Sequence, residues 1–178
     1  MKKLFFSLVM FCSIFVNAQI YSDETMNSVR TITTNKKPFY SAATTSGLFF
    51  LKNISSSNVE YYLFCLNIDE GIITISNNSL IWFKCENGDI IKLENKKEVN
   101  LTNLDIHYIG SYGANPEYYA TIEQIDSIAK GNINKIRIFT NEGFIDHKIT
   151  NNKVSKQTIK FLEAIQKQKL KSSKNMDF

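Results

Sequence analysis

WFKCENGDIIKLE, running from Trp82 to Glu94, consists of two half-apolar runs hinged on Asn87-Gly88. Its register decides what the surrounding chain builds, because a shift of one residue turns every side chain of a strand to the opposite face. A two-residue turn on Asn87-Gly88 would pair Phe83 with Lys92 and Lys84 with Ile91, mixing apolar and charged groups on both faces. A three-residue loop, Glu86-Asn87-Gly88, with Gly88 left-handed at a bulge, instead pairs Ile81 with Leu93 and Phe83 with Ile91. One face is then cleanly apolar, so the stretch is predicted to be a hairpin in this second register. Cys85 lies on its apolar side, at the turn end.

Outward from this hairpin, short runs rich in Ile, Phe, Tyr, Leu and Val alternate with Asn, Gly, Asp and Ser clusters. Strands are expected at 48–52, 59–67, 72–76, 80–85, 90–94, 105–109, 118–120, 135–140 and 144–149, mostly antiparallel because the connections are short. Runs 59–67, 72–76 and 80–85 follow one another as a simple meander unless the middle run crosses to another sheet. In KIRIFTNEGFIDHKI, an even-numbered loop puts Ile136, Ile138, Ile145, His147 and Ile149 on one face, and Arg137, Asp146 and Lys148 toward water. Thr121-Ile122-Glu123-Gln124 reads as a capping box, followed by an Ile122, Ile125, Ile128, Ala129 stripe that Gly131-Asn132 ends. From Ser155 to about Leu170, Ile159, Phe161, Leu162 and Ile165 recur at helical spacing among lysines, predicting a closing amphipathic helix. The fold class is mainly β, with α+β as the alternative. It takes the form of an antiparallel β-sandwich or curled sheet with one short internal helix and a C-terminal amphipathic helix.

The chain opens on Lys2-Lys3, an apolar run from Leu4 to Val16, and Val16-Asn17-Ala18, the pattern of a secretory signal peptide. That run is shorter than the ~20 residues of a membrane anchor. Phe11 precedes Cys12, where a lipoprotein signal has a small residue, so the chain is read as not lipid-anchored. The expected location is the periplasm or the exterior, with residues 1–18 as the signal peptide. Residues 19–35 are expected to be a flexible segment, 36–170 a single β-rich domain with its C-terminal helix, and 171–178 a disordered tail. The formal charge of +4 drops to about +2 without the two leader lysines, giving no global electrostatic case for nucleic acid.

Chemistry-bearing motifs are sparse. Across such a meander Cys65 and Cys85 are separated by far more than the ~7 Å a disulfide tolerates, so a bond is expected only if the middle run crosses to another sheet, and both are read as buried small hydrophobes. His107 and His147 sit in separate runs with no converging ligands, and no metal or cofactor site is expected. A Gly-x-Ser-x-Gly elbow and a phosphate-cradling glycine loop are both absent, and no catalytic residue is assigned. Paired carboxylates for glycoside chemistry stay open, since their separation is spatial. The segment Tyr108 to Tyr119 gathers Tyr108, Tyr112, Tyr118 and Tyr119 around two glycines. Tyrosines offer rigid contact area with a polar tip, suited to a sugar or protein ligand, or alternatively to closing a sheet edge.

The succession of a strand, an Asn-Gly-Asp turn, a strand, a YYATIEQI helix, KIRIFTNEGFID and a lysine-rich helix resembles small exported bacterial proteins of unknown function. The resemblance spans roughly Val59 to Leu170 and implies an envelope or secreted domain, with no functional residues to carry over. Three readings follow. The first is a non-catalytic module binding an envelope protein or glycan through the tyrosine segment or a strand edge. The second is a hydrolase of envelope polymers using Asp and Glu residues, and the third is a structural assembly component.

Overall fold

The computed structural model describes residues 20–41, 46–69, 74–95, 102–103 and 112–174. Twelve strands and two helices occupy them: β1 (Ile20–Met26), β2 (Val29–Thr34), β3 (Lys37–Ser41), β4 (Ser46–Ser55), β5 (Glu60–Asp69), β6 (Leu80–Cys85), β7 (Ile90–Asn95), β8 (Thr102–Asn103), β9 (Tyr112–Gly113), β10 (Glu117–Ala120), α1 (Ile122–Lys130), β11 (Ile133–Thr140), β12 (Gly143–Lys148) and α2 (Lys153–Lys174). Every strand pair is antiparallel. Ten strands form one sheet in the order β1-β2-β4-β5-β10-β7-β6-β11-β12, with β3 beside β4, and β8 and β9 form a separate ladder.

The deciding hairpin has the bulged register. Ile81 faces Leu93 and Phe83 faces Ile91, Gly88 takes φ +94°, and the Cys85 N–H donates to the Asp89 carbonyl at 2.9 Å. The β11–β12 hairpin turns on two residues, so Ile136 faces His147 and Ile138 faces Ile145, while Arg137 and Asp146 pair on the opposite face.

Of the two architectures expected, the sheet is the curled one. Phe64 on β5 and Phe83 on β6 are three strand spacings apart, which in a flat sheet is about 14 Å. Their ring centroids are 4.9 Å apart, edge to face. Curling continues until the opposite ends of the β3-β4-β5-β10-β7-β6-β11-β12 path meet: Tyr40 on β3 stacks on His147 of β12 at 3.9 Å. Phe161 of α2 packs on Phe49, and Phe49 on Phe64, so a chain of rings runs from the helix across the enclosed core.

Both helices seat their apolar sides in this core. In α1 the Thr121 hydroxyl accepts from the Gln124 N–H and the Gln124 side chain accepts from the Thr121 N–H, completing the capping box. Ile125, Ile128 and Ala129 are buried, whereas Ile122, expected on the same stripe, is largely exposed. In α2, Val154, Thr158, Phe161, Leu162 and Ile165 are buried, and the predicted Ile159 points outward. The helix runs to Lys174, so the chain is helical where a disordered tail was expected to begin at 171.

Three expectations are corrected. Residues 20–34 are not a flexible lead-in but the strands β1 and β2, joined by an Asn27-Ser28 turn with both φ values positive, as a tight hairpin turn requires. These strands are polar, and what holds them is tertiary. Arg30 binds both Asp23 oxygens at 2.8 and 2.7 Å and donates to Ser172 at 2.7 Å, while Gln168 donates to Asp23 at 2.9 Å, tying the hairpin to α2. The meander is also absent, because β10 and β7 lie between β5 and β6. Finally, within 72–76 the described residues 74–76 form no strand, only an isolated bridge at Ile75. The predicted strand at 105–109 and the signal segment 1–18 lie outside the described residues.

Candidate functional site

Of the tyrosine segment, the side chains of Tyr118 and Tyr119 are described. Tyr118 is 0% exposed, with its ring in the core and burial pushing its phenol pKa up. Strand alternation sends its neighbour Tyr119 outward, 40% exposed and stacked on Tyr61 at 5.1 Å. Tyr112 lies in the β8–β9 ladder opposite Asn103, and Tyr108 lies outside the described residues. Tyr118 is therefore a packing residue, and it shares no surface with the outward-facing Tyr119.

Cys65 and Cys85 are free and buried, on opposite faces of the sheet. Burial raises both thiol pKa values, keeping them protonated. The reason they do not bond differs from the one inferred from sequence: β10 and β7 separate their strands and they face opposite sides, whereas a meander was expected. Cys65 is covered by an ion pair between Lys52 and Glu117, which closes over the outer face of β5. His147 is buried between Phe39 and Tyr40 as a packing residue, and His107 lies outside the described residues. Among the described residues, no three His, Cys, Asp or Glu side chains converge as a metal ion requires.

The large concavity lies instead on the outer face of the N-terminal strands. A groove of about 870 Å³ is lined by Tyr21, Ser22, Glu24, Thr31, Thr33, Thr34, Asn35, Lys36, Lys37, Phe50 and Lys52. Sheet register builds it row by row. Ser22 faces Thr33, which faces Lys52, and Glu24 faces Thr31 in the parallel row. A register shift between Ile20 and Ser22 turns Tyr21 to this face, where it stands 77% exposed. Phe50, one step along β4 from the buried Phe49 and Leu51, forms the apolar floor.

Charge is concentrated around that ring. The Lys36 and Lys52 ammonium groups lie 5.8 and 5.9 Å from the Phe50 centroid, both within cation–π range. Burial works against the charge on Lys52, but its bond to Glu117 and the charge interactions with Cys65 and Glu117 together outweigh this and raise its pKa. Among the described residues, Lys36 and Lys37 have no carboxylate partner, and Glu24 is the sole acid lining the groove. The site thus offers an aromatic face, a row of hydroxyls and three cations.

None of this was legible as a site in the sequence, because its residues come from four strands and the Asn35-Lys36 link, and two of those strands were read as flexible. Alternation in TITTNKK and the Asn27-Ser28 turn were the available signals. In comparisons with known proteins, the chain matches no family model, no curated protein and no solved structure. Among the described residues, no helix is long and apolar enough to cross a membrane.

Proposed function

We propose that the chain is an exported, non-catalytic module that binds an acidic glycan in the groove over β1, β2 and β4. The observation carrying this reading is the Phe50 ring flanked by Lys36 and Lys52, beside the Ser22, Thr31 and Thr33 hydroxyls. The C–H face of a sugar packs on an aromatic ring, its hydroxyls exchange hydrogen bonds with Ser and Thr, and lysine ammonium groups balance its carboxylates. A groove of about 870 Å³ lies within the ~300–1,000 Å³ of ligand sites and accommodates a short run of a polymer rather than a terminal group alone. A hydrolase of the paired-carboxylate kind draws no support from a lining in which Glu24 is the sole acid.

The test is calorimetric titration of the chain with polygalacturonate and with its fully methyl-esterified, neutral counterpart. The acidic polymer binds with an affinity that falls with added salt, and the neutral one does not. Phe50→Ala and the double variant Lys36→Gln, Lys37→Gln each weaken binding about ten-fold, or ~1.4 kcal/mol. Equal binding of the neutral polymer, or no loss in either variant, would remove this reading.

A further inference from the structure

A second concavity lies on a separate outer face, across β6, β7, β11 and β12. It is small, about 180 Å³, and lined by Trp82, Lys84, Ile90, Lys135 and Arg137. Two adjacent cross-strand rows make it. Lys92, Trp82, Arg137 and Asp146 stand side by side in one, and Ile90, Lys84, Lys135 and Lys148 in the other.

Three observations point to an anion-binding site. First, Lys84, Lys135 and Lys148 are direct neighbours across three strands, and like charges in that position destabilise a sheet. Second, the local charge is out of balance. Asp146 accepts two bonds from Arg137, at 2.7 and 2.8 Å, and one from Lys135 at 2.6 Å, and it is the one carboxylate in the two rows. Of the three cations lining the cavity, Asp146 neutralises one, leaving two positive charges. Third, the Trp82 indole N–H is shielded from solvent with no acceptor among the described residues, a state that costs about 1–3 kcal/mol. Lys92 sits over the same ring at 4.7 Å and holds it in place.

From these we infer that the cavity binds a phosphate dianion, held by the Trp82 N–H and the Lys84 and Lys135 ammonium groups. Two positive charges match a dianion better than a monoanion. A planar carboxylate is the poorer fit, because the Arg137 Nε and Nη2 that would grip it in a fork already hold Asp146. Lysines act as point charges without that planar demand, which suits a tetrahedral oxyanion. The volume admits one such group, free or at the end of a larger ester, with Ile90 as the apolar lip.

Trp82 is the sole tryptophan of the chain, so its emission reports on this cavity directly. The experiment titrates the protein at pH 7.5 and constant ionic strength with sodium phosphate, glucose 6-phosphate, sodium acetate and sodium chloride. Saturable emission changes are expected with the two phosphates and not with acetate or chloride. Tighter binding of the sugar phosphate identifies a monoester as the ligand, and equal binding identifies free phosphate. Lys84→Gln, at an exposed position, is expected to keep or raise the thermal midpoint, because it relieves repulsion from Lys135, and to weaken binding about five-fold. Phosphorus-31 line broadening of orthophosphate gives an independent readout and extends the test to Trp82→Phe, in which the broadening is expected to fall. Equal responses to acetate, or undiminished binding in Lys84→Gln, would overturn the inference.

Discussion

Contact between Phe64 and Phe83 is the consequence of curling that can be measured most directly. Both side chains are fully buried and their rings meet edge to face at 4.9 Å, although two other strands run between theirs. Phe64→Leu and Phe83→Leu each keep an apolar side chain of similar size, and each is expected to cost about 1–1.5 kcal/mol. Edge-to-face ring contact adds about 0.5–1.5 kcal/mol beyond burial, and either single substitution already removes it. The double variant should therefore be less destabilised than the sum of the singles by about 1 kcal/mol. Side chains more than ~7–10 Å apart add within about 0.3–0.5 kcal/mol, which is the flat-sheet expectation at about 14 Å. Urea unfolding followed by Trp82 emission supplies the three free energies, provided the denaturant slopes stay equal. In thermal melts a stability change of 1 kcal/mol corresponds to about 2–4 °C for a chain of this length. Simple additivity of the two substitutions would refute the curl between β5 and β6.

Acid titration and helix capping give two further expected outcomes. Hydrogen bonding to Arg30 holds the Asp23 carboxyl below the ordinary range, and bonding to Arg137 does the same for Asp146. A lowered folded-state pKa contributes stability that is present above the unfolded value, near pH 4, and is lost as pH falls through the folded value. Urea midpoints should thus fall steeply below about pH 4, and Asp23→Asn should cost roughly 2 kcal/mol at pH 7 with a shrinking difference from wild type in acid. A pH-independent difference would contradict this. Thr121→Ala, which removes the acceptor for the Gln124 N–H and with it one half of the capping box, should cost about 1 kcal/mol in the same unfolding assay, and an unchanged midpoint would show that the cap contributes nothing.

Nearest-neighbour features could be read before any coordinates because the forces that set them act within a few residues. Gly88 tolerates the left-handed backbone that the bulged loop demands, and alternation then fixes Ile81 against Leu93. The Thr121 and Gln124 pair closes its own helix end. Longer stripes were only partly legible, since Ile122 and Ile159 fit a helical period yet lie outside the contact each helix makes with the sheet. The candidate groove was illegible for a related reason. Ser22, Thr33 and Lys52 belong to three strands and become neighbours only once β2 pairs with β4.

Local pattern was enough for the strand-rich character, the register of the Trp82–Glu94 hairpin, the facing pattern of a second hairpin and the short capped helix. Each follows from backbone geometry and side-chain alternation over spans of about fifteen residues or fewer. Long-range packing placed β10 beside β5 and curled the sheet until Tyr40 meets His147. It likewise recruited the polar strands β1 and β2 through the Asp23, Arg30 and Gln168 contacts to α2. Those outcomes depend on burying ring against ring and satisfying partly buried charge between segments up to 145 residues apart, a balance that no local pattern encodes.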